Sequence, residues 1–153
     1  MATRNGSAQW SGDLTTGSGR LTVGEGAWTS DYSYTSRFKG VLPTEEARRD
    51  GAGTNPEELL AAAHAACFSM ALSLALSEAG HPPRSITTTG RVHLRNVGGI
   101  PAIQQIDLET SAEVPGLDET SFQQRAEEAK TGCIISRALG GVERINLVAE
   151  LAT

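Results

Sequence analysis

From Leu59 to Leu76 the chain carries no charged side chain on any face. A run of that length forms a helix only if something covers it on all sides. Its bounds are plain. Asn55 suits the N-cap, Pro56 the first helical position, and Glu58, three residues on from Asn55, can close a capping box. Glu57 and Glu58 place negative charge at the positive end of the helix dipole. Gly80 supplies a left-handed stop, and Pro82-Pro83 forbid continuation. The run reaches the lower limit of a membrane span. However, Ser69, Ser73 and Ser77 recur every fourth residue, and the flanks lack the Lys/Arg cluster that sets orientation. The expectation is a long central helix buried within a protein core, with Cys67 in its middle.

The rest of the chain supplies strands to cover it. Residues 7–13, 18–24 and 31–38 are short β-prone runs between Gly-rich turns, and they predict a three-stranded meander. In the third run Tyr32, Tyr34, Ser36 and Phe38 share one face, and Arg37 points to the other with Ser33 and Thr35. The connector Val41–Gly53 holds Pro43, mixed charges and Gly51, and reads as mobile. Residues 86–97 and 102–114 predict a hairpin across Gly98–Pro101, with Ile106, Leu108, Thr110, Ala112 and Val114 on its dry face. Asp118 caps a helix with Phe122, Ala126 and Ala129 inward. Cys133 to Leu139 adds a turn or two, and 142–151 is a last strand. The order βββ-α-ββ-α-β is an α+β fold with an antiparallel sheet, and residues 1–153 read as one domain.

A net charge of -5 and a pI near 5.2 argue against a nucleic-acid surface. The first residues lack the apolar stretch of a secretory leader, which points to the cytoplasm. Two cysteines 66 residues apart make neither a disulfide scaffold nor a Cys-x-x-Cys site. In a reducing compartment they are either unrelated core residues or a transient redox couple.

A thiol inside an apolar helix is inert unless a cation favours its ionised form. Arg37 is the candidate cation for Cys67, and Glu57 can hold an arginine through two carboxylate oxygens. The plainer readings are a solvated edge-strand charge and a helix-dipole carboxylate. Ten residues of regular helix separate Glu57 from Cys67 by ~15 Å along the axis and ~80° in azimuth. If both serve one site, a second subunit must contribute one of them. Cys133 opens a short helical turn, where backbone N–H groups favour a thiolate. His64, three residues before Cys67, is either a nucleophile's base or a hydrogen-bonded core histidine. His81 and His93 lie outside any metal-ligand spacing, so no metal site is expected.

The segment Gly53-Thr-Asn-Pro-Glu-Glu-Leu-Leu-Ala-Ala-Ala-His-Ala-Ala-Cys-Phe-Ser-Met-Ala-Leu, with Lys130-Thr-Gly-Cys-Ile-Ile-Ser after it, resembles the OsmC/Ohr family. These are osmotically inducible and organic hydroperoxide resistance proteins, and Ala-His-Ala-Ala-Cys-Phe-Ser-Met-Ala is similar to the OsmC branch. Ala8-Gln-Trp-Ser-Gly and Thr35-Ser-Arg-Phe-Lys-Gly extend the resemblance over nearly the whole chain.

The resemblance implies a thiol-dependent peroxidase, with Cys67 peroxidatic, Cys133 resolving, Arg37 activating the thiolate and Glu57 positioning Arg37. It implies reduction of organic hydroperoxides, and less efficiently hydrogen peroxide, through a sulfenic acid on Cys67 and a Cys67–Cys133 disulfide. An external dithiol, of lipoyl type in relatives, then regenerates the enzyme. It also implies an intertwined homodimer with two interface sites and no bound cofactor. Ile134 stands where relatives often have proline, and the 41–53 connector is longer than in compact members. The rivals are a redox-sensing or apolar-ligand-binding protein of the same fold, and a Cys–His acyl-transfer enzyme through His64.

Overall fold

The computed structural model describes residues 1–48, 51 and 53–152. Arg49, Asp50 and Ala52 of the connector lie outside the described residues. The described residues divide into two compact units: those within 1–59 with 95–101, and 60–94 with 102–152.

In the first unit, β1 (Gly6–Ser11), β2 (Ser18–Val23) and β3 (Trp28–Ser33) form the expected antiparallel meander. Trp10, Gly19 and Tyr32 stand in register across the three strands. A side chain at Gly19 would lie 2.2 Å from the Tyr32 ring, so the bare glycine lets that ring approach Trp10, with centroids 5.4 Å apart. The third strand is shorter than the alternation suggests. It stops at Ser33, and α1 (Tyr34–Phe38) follows at once. Tyr34 and Phe38 share a face here through helical i,i+4 spacing, with rings 5.0 Å apart, and not through strand pleat. Part of the connector is ordered as a 3-10 turn, Glu46–Arg48. There Thr44 Oγ1 accepts from the Ala47 amide at 3.2 Å, and Ala47 is buried.

The helix α2 (Pro56–Glu78) begins in the first unit and runs through the second. It is buried along one side only. His64, Phe68, Leu72 and Leu76 are enclosed, whereas Met70 is 75% and Leu74 60% exposed, in line with exposed Ala62 and Ala66. All-round burial was expected from the missing charges, but within one chain a single stripe of α2 finds cover.

By length and composition α2 could cross a bilayer. Two of its mid-helix polar side chains, His64 and Ser69, nonetheless bond within the protein. Ser69 Oγ donates to the Ala65 carbonyl at 2.9 Å and lies 2.8 Å from Thr88 Oγ1, which meets Thr110 Oγ1 at 2.9 Å. This run of hydroxyls ties the helix to β4 (Ser85–Val97) and β5 (Ile100–Glu113).

The two strands are joined by Gly98-Gly99, both at positive φ, as a tight hairpin turn requires. Ile106, Leu108, Thr110, Ala112 and Val114 are all buried, so the alternating pattern is realised. The sheet departs from the antiparallel expectation in its last pairing. β6 (Arg144–Ala152) runs parallel to β5, with Ile106 opposite Ile145 and Leu108 opposite Leu147. Residues 114–143 between them hold α3 (Glu119–Gly132) and α4 (Ile134–Ala138). A parallel neighbour needs a crossover of about that length, and a helix is its usual content.

Asp118 caps α3 by accepting from the Ser121 amide at 3.0 Å, which turns Phe122, Ala126 and Ala129 inward. The core is Phe68, Leu72 and Leu76 of α2 against Leu108, Ala112, Phe122 and Ala126, with Cys133 at its margin. Leu72→Ala should lower stability by ~2–5 kcal/mol through the cavity it leaves. The check is the urea midpoint, which falls while the slope stays constant.

Candidate active site

Arg37 owes its position to the helical turn at α1. Ser33 Oγ accepts from the Ser36 amide at 3.1 Å, and Ser36 Oγ accepts from the Ser33 amide at 2.9 Å, a reciprocal cap that ends the strand. Asn55 Nδ2 donates to the Ser36 carbonyl at 3.0 Å, which fastens α1 to the start of α2. Asn55 Oδ1 caps α2 through the Glu58 amide at 2.9 Å, as expected. The Glu58 carboxylate, expected to close the box, accepts from Thr54 Oγ1 at 2.7 Å. The entry to α2 hangs on β3: the Thr54 amide donates to the Asp31 carbonyl at 2.9 Å. Gly53, at φ +96°, must be bare there, because a Cβ would sit 2.0 Å from that carbonyl oxygen.

These constraints bring the Arg37 guanidinium onto Glu57. Nε donates to both carboxylate oxygens at 3.2 and 3.3 Å, and Nη2 donates to Oε1 at 3.0 Å. The Glu57 side chain is 9% exposed and that of Arg37 41%, so a buried anion holds a cation that reaches solvent. A carboxylate removed from water needs such a partner. The guanidinium also lies 5.2 Å from the centre of the Phe38 ring, within cation–π range. Arg37 was expected on a strand face. It reaches Glu57 from a helix, and the Ser33-x-x-Ser36 spacing is the sequence signal for that turn.

Cys67 and Cys133, both unbonded thiols, lie in the second unit. Cys67 packs on the apolar core from the fourth turn of α2 and is half-buried, while Cys133 is buried. Cys133 stands between α3 and α4, with its amide on the Ala129 carbonyl at 2.8 Å and its carbonyl on the Arg137 amide at 3.1 Å. Burial pushes its thiol up. The Ser136 amide and hydroxyl, the Cys67 thiol and the Ile135 amide outweigh that, and the net shift is downward from the ordinary thiol value. The two cysteines share one apolar core, Cys133 within it and Cys67 packed against it. Ile134, where proline was noted as usual, is 73% exposed and starts α4 without disturbing it.

His64 is fully buried, and its Nε2 lies 2.7 Å from Ser136 Oγ. Its Nδ1 has no partner among the described residues, so the ring makes no bond to Cys67. The Cys–His pair of an acyl-transfer enzyme is therefore not formed. Ser136 is the residue that sequence reasoning missed. It sits at the third position after Cys133, and nothing in the local pattern marks it as the partner of a histidine 72 positions away.

A guanidinium gripped by a buried carboxylate, and two free thiols in one apolar core, are the marks of a thiol-based redox protein. The family model described as OsmC-like protein matches residues 49–147. The chain is 43% identical over 137 residues to peroxiredoxin OsmC of Escherichia coli (strain K12), covering 89% of each. It is 34% identical over 100 residues to the organic hydroperoxide resistance protein of Xanthomonas axonopodis pv. citri, covering 65% of this chain and 68% of that one. Among solved structures, the organic hydroperoxide resistance protein OhrB of Bacillus subtilis superposes with a TM-score of 0.65 at 25% identity, covering 97% of this chain and 98% of that one. The OsmC protein of Legionella pneumophila superposes with a TM-score of 0.70 over the whole of both chains at 21% identity, a likeness of fold. The chain belongs to the OsmC-like family, and within it to the OsmC branch.

Burial holds the His64 imidazole below its ordinary value. The unfolded chain therefore takes up a proton as pH falls through ~6.5 while the folded one resists, so stability present above that pH is lost below it. Urea midpoints measured at about pH 7.5 and about pH 5.5 should show a smaller drop in His64→Gln than in the parent. Equal drops in the two proteins would contradict a buried neutral ring.

Proposed function

We propose that the chain is a cytoplasmic peroxidase that reduces organic hydroperoxides with its own two thiols. The observation that carries this reading is the placement of two free cysteines, Cys67 and Cys133, in the same apolar core. Cys67 thiolate attacks the distal oxygen of R–OOH. The O–O bond breaks, the alcohol leaves with a proton, and Cys67 becomes a sulfenic acid. Cys133 then forms the S–S bond and water departs. An external dithiol, of which a lipoyl group is one, restores both thiols by exchange, and the cycle needs no metal or other cofactor.

Arg37, fixed by Glu57, stabilises the thiolate and the alkoxide developing on the leaving oxygen. Because Glu57 and Cys67 are ten residues apart on the same helix, the Arg37–Glu57 pair of one subunit serves Cys67 of the other in a homodimer. The bare stripe of Ala62, Ala66, Met70 and Leu74 on α2 supports the dimer, since it is apolar surface that one chain leaves uncovered. The apolar surroundings of the thiols favour organic peroxides over hydrogen peroxide.

One equivalent of an organic hydroperoxide should remove two free thiols per chain and yield a peptide linked through Cys67 and Cys133. No thiol loss would exclude the reaction. Arg37→Ala should slow the peroxide step by about a hundredfold or more. When Arg37→Ala and Cys67→Ser chains are co-expressed, each mixed dimer should carry one intact site, giving about a quarter of parent activity. Activity no higher than that of either variant alone would place all of the site's residues in one chain.

A further inference from the structure

With one exception, the cations of the second unit are held by carboxylates. Arg84 pairs with Glu113, Arg91 with Glu109, Arg125 with Glu128 and Lys130 with Glu127, while Arg144 lies 3.9 Å from Glu143. The Arg137 side chain has no hydrogen bond or ion pair among the described residues. Acidic side chains outnumber basic ones in this chain, so a guanidinium left without one is an anomaly. Arg137 is in the last turn of α4, where a cation complements a helix dipole, but a helix of five residues sums few peptide dipoles. Ile134 stands three residues earlier on the same helical face and is 73% exposed. An apolar side chain and an unpaired cation thus share the solvent face of the turn that begins at Cys133.

Arg137 also lines a cavity of about 210 Å³, with Lys130, Thr131, Ser136 and Ile145. Small-molecule sites run from ~300 Å³ upward. This one fits a single side chain presented by something larger, and its two cations select a carboxylate. Lys130 is engaged by Glu127, yet an ammonium has three donors and can take a second acceptor. We propose that the Ile134–Arg137 face of α4 and the cavity beside it dock the protein that carries the reducing dithiol: an acidic side chain of the carrier enters between Arg137 and Lys130, and Ile134 packs under the rest. The inference rests on the peroxidase reading, which requires such a reductant, and names where it binds and what charge it presents.

Position is the second argument for that occupant. The cavity is lined by residues just before Cys133, Lys130 and Thr131, and just after it, Ser136 and Arg137. A carrier seated there is at the turn that holds one of the two sulfurs it must reduce. A thiolate of the carrier attacks one sulfur of the Cys67–Cys133 bond, that bond breaks, and the other cysteine leaves as a thiolate. The carrier's second thiolate then attacks its own bound sulfur, so the carrier departs as a disulfide and both cysteines are free. Two electrons pass to the protein, and the two protons shed by the dithiol reach the cysteines through solvent.

The experiment takes the oxidised protein and follows the return of its thiols with three reductants. These are free dihydrolipoamide and two peptides that each carry one dihydrolipoyl-lysine, flanked by Asp and Glu in one and by Ser and Gly in the other. At low salt the acidic peptide should react about tenfold faster than the neutral one, and the lead should vanish near ~0.5 M salt. Arg137→Glu should slow the acidic peptide about tenfold more than it slows free dihydrolipoamide, through KM and not kcat, and Arg137→Lys should recover most of that loss. An acidic peptide no faster than the neutral one, or a loss in Arg137→Glu shared equally by free dihydrolipoamide, would overturn the proposal. So would a changed oligomeric state in Arg137→Glu, which would make this face a contact between copies of the chain. A parent protein that forms no disulfide with hydroperoxide would defeat the peroxidase reading instead. Fluorescence anisotropy of the labelled acidic peptide on the reduced protein then judges the docking surface by itself: tighter binding to parent than to Arg137→Glu supports it, and equal binding overturns it.

Discussion

An apolar helix of 23 residues cannot keep its sides in water, and most of this structure follows from how α2 is covered. One stripe is met by β5 and α3 through Phe68, Leu72 and Leu76. Where that cover brings polar groups along, they are paired: Ser69 with Thr88, and His64 with Ser136. The helix also acts as a ruler. Glu57 lies in its first turn and Cys67 ten residues on, ~15 Å along the axis of a regular helix.

The two clusters solve different electrostatic problems. The Arg37–Glu57 pair keeps full charges near water, where the cation is partly solvated and the anion is satisfied by three guanidinium hydrogen bonds. Cys133 is buried in a core cluster that contains no charged side chain. A charge in the second place would have cost more in lost hydration than it returned. One protein thus keeps its cation where solvent screens the cost and leaves the dry core uncharged.

Much of this was legible in the sequence because it obeys local rules. The Asn55-Pro56 start, the alternation from Ile106 to Val114 and the Asp118 cap each fixed an element by short-range chemistry. The misreadings share one cause, which is that a non-local partner decided between two locally allowed states. Residues 34–38 alternate like a strand, yet reciprocal Ser33 and Ser36 capping, anchored by Asn55 from another element, makes them a helical turn. The direction of β6 depends on whether 114–143 folds as a crossover, which no window of strand residues reports. The full burial of α2 was inferred from the absence of charge, but absence of charge says only that cover is needed. Ser136 was invisible for the same reason: its partner is 72 positions away.

The two sulfurs are mounted very differently. Cys67 is set in the body of a long helix whose neighbours pin it over several turns. Cys133 heads a helix of five residues bracketed by Gly132 on one side and Gly140-Gly141 on the other, with too few hydrogen bonds to be stiff by itself. Compliance is therefore unequally divided. Any movement that joined the two sulfurs would fall to the short glycine-flanked turn, with the long helix as the anvil.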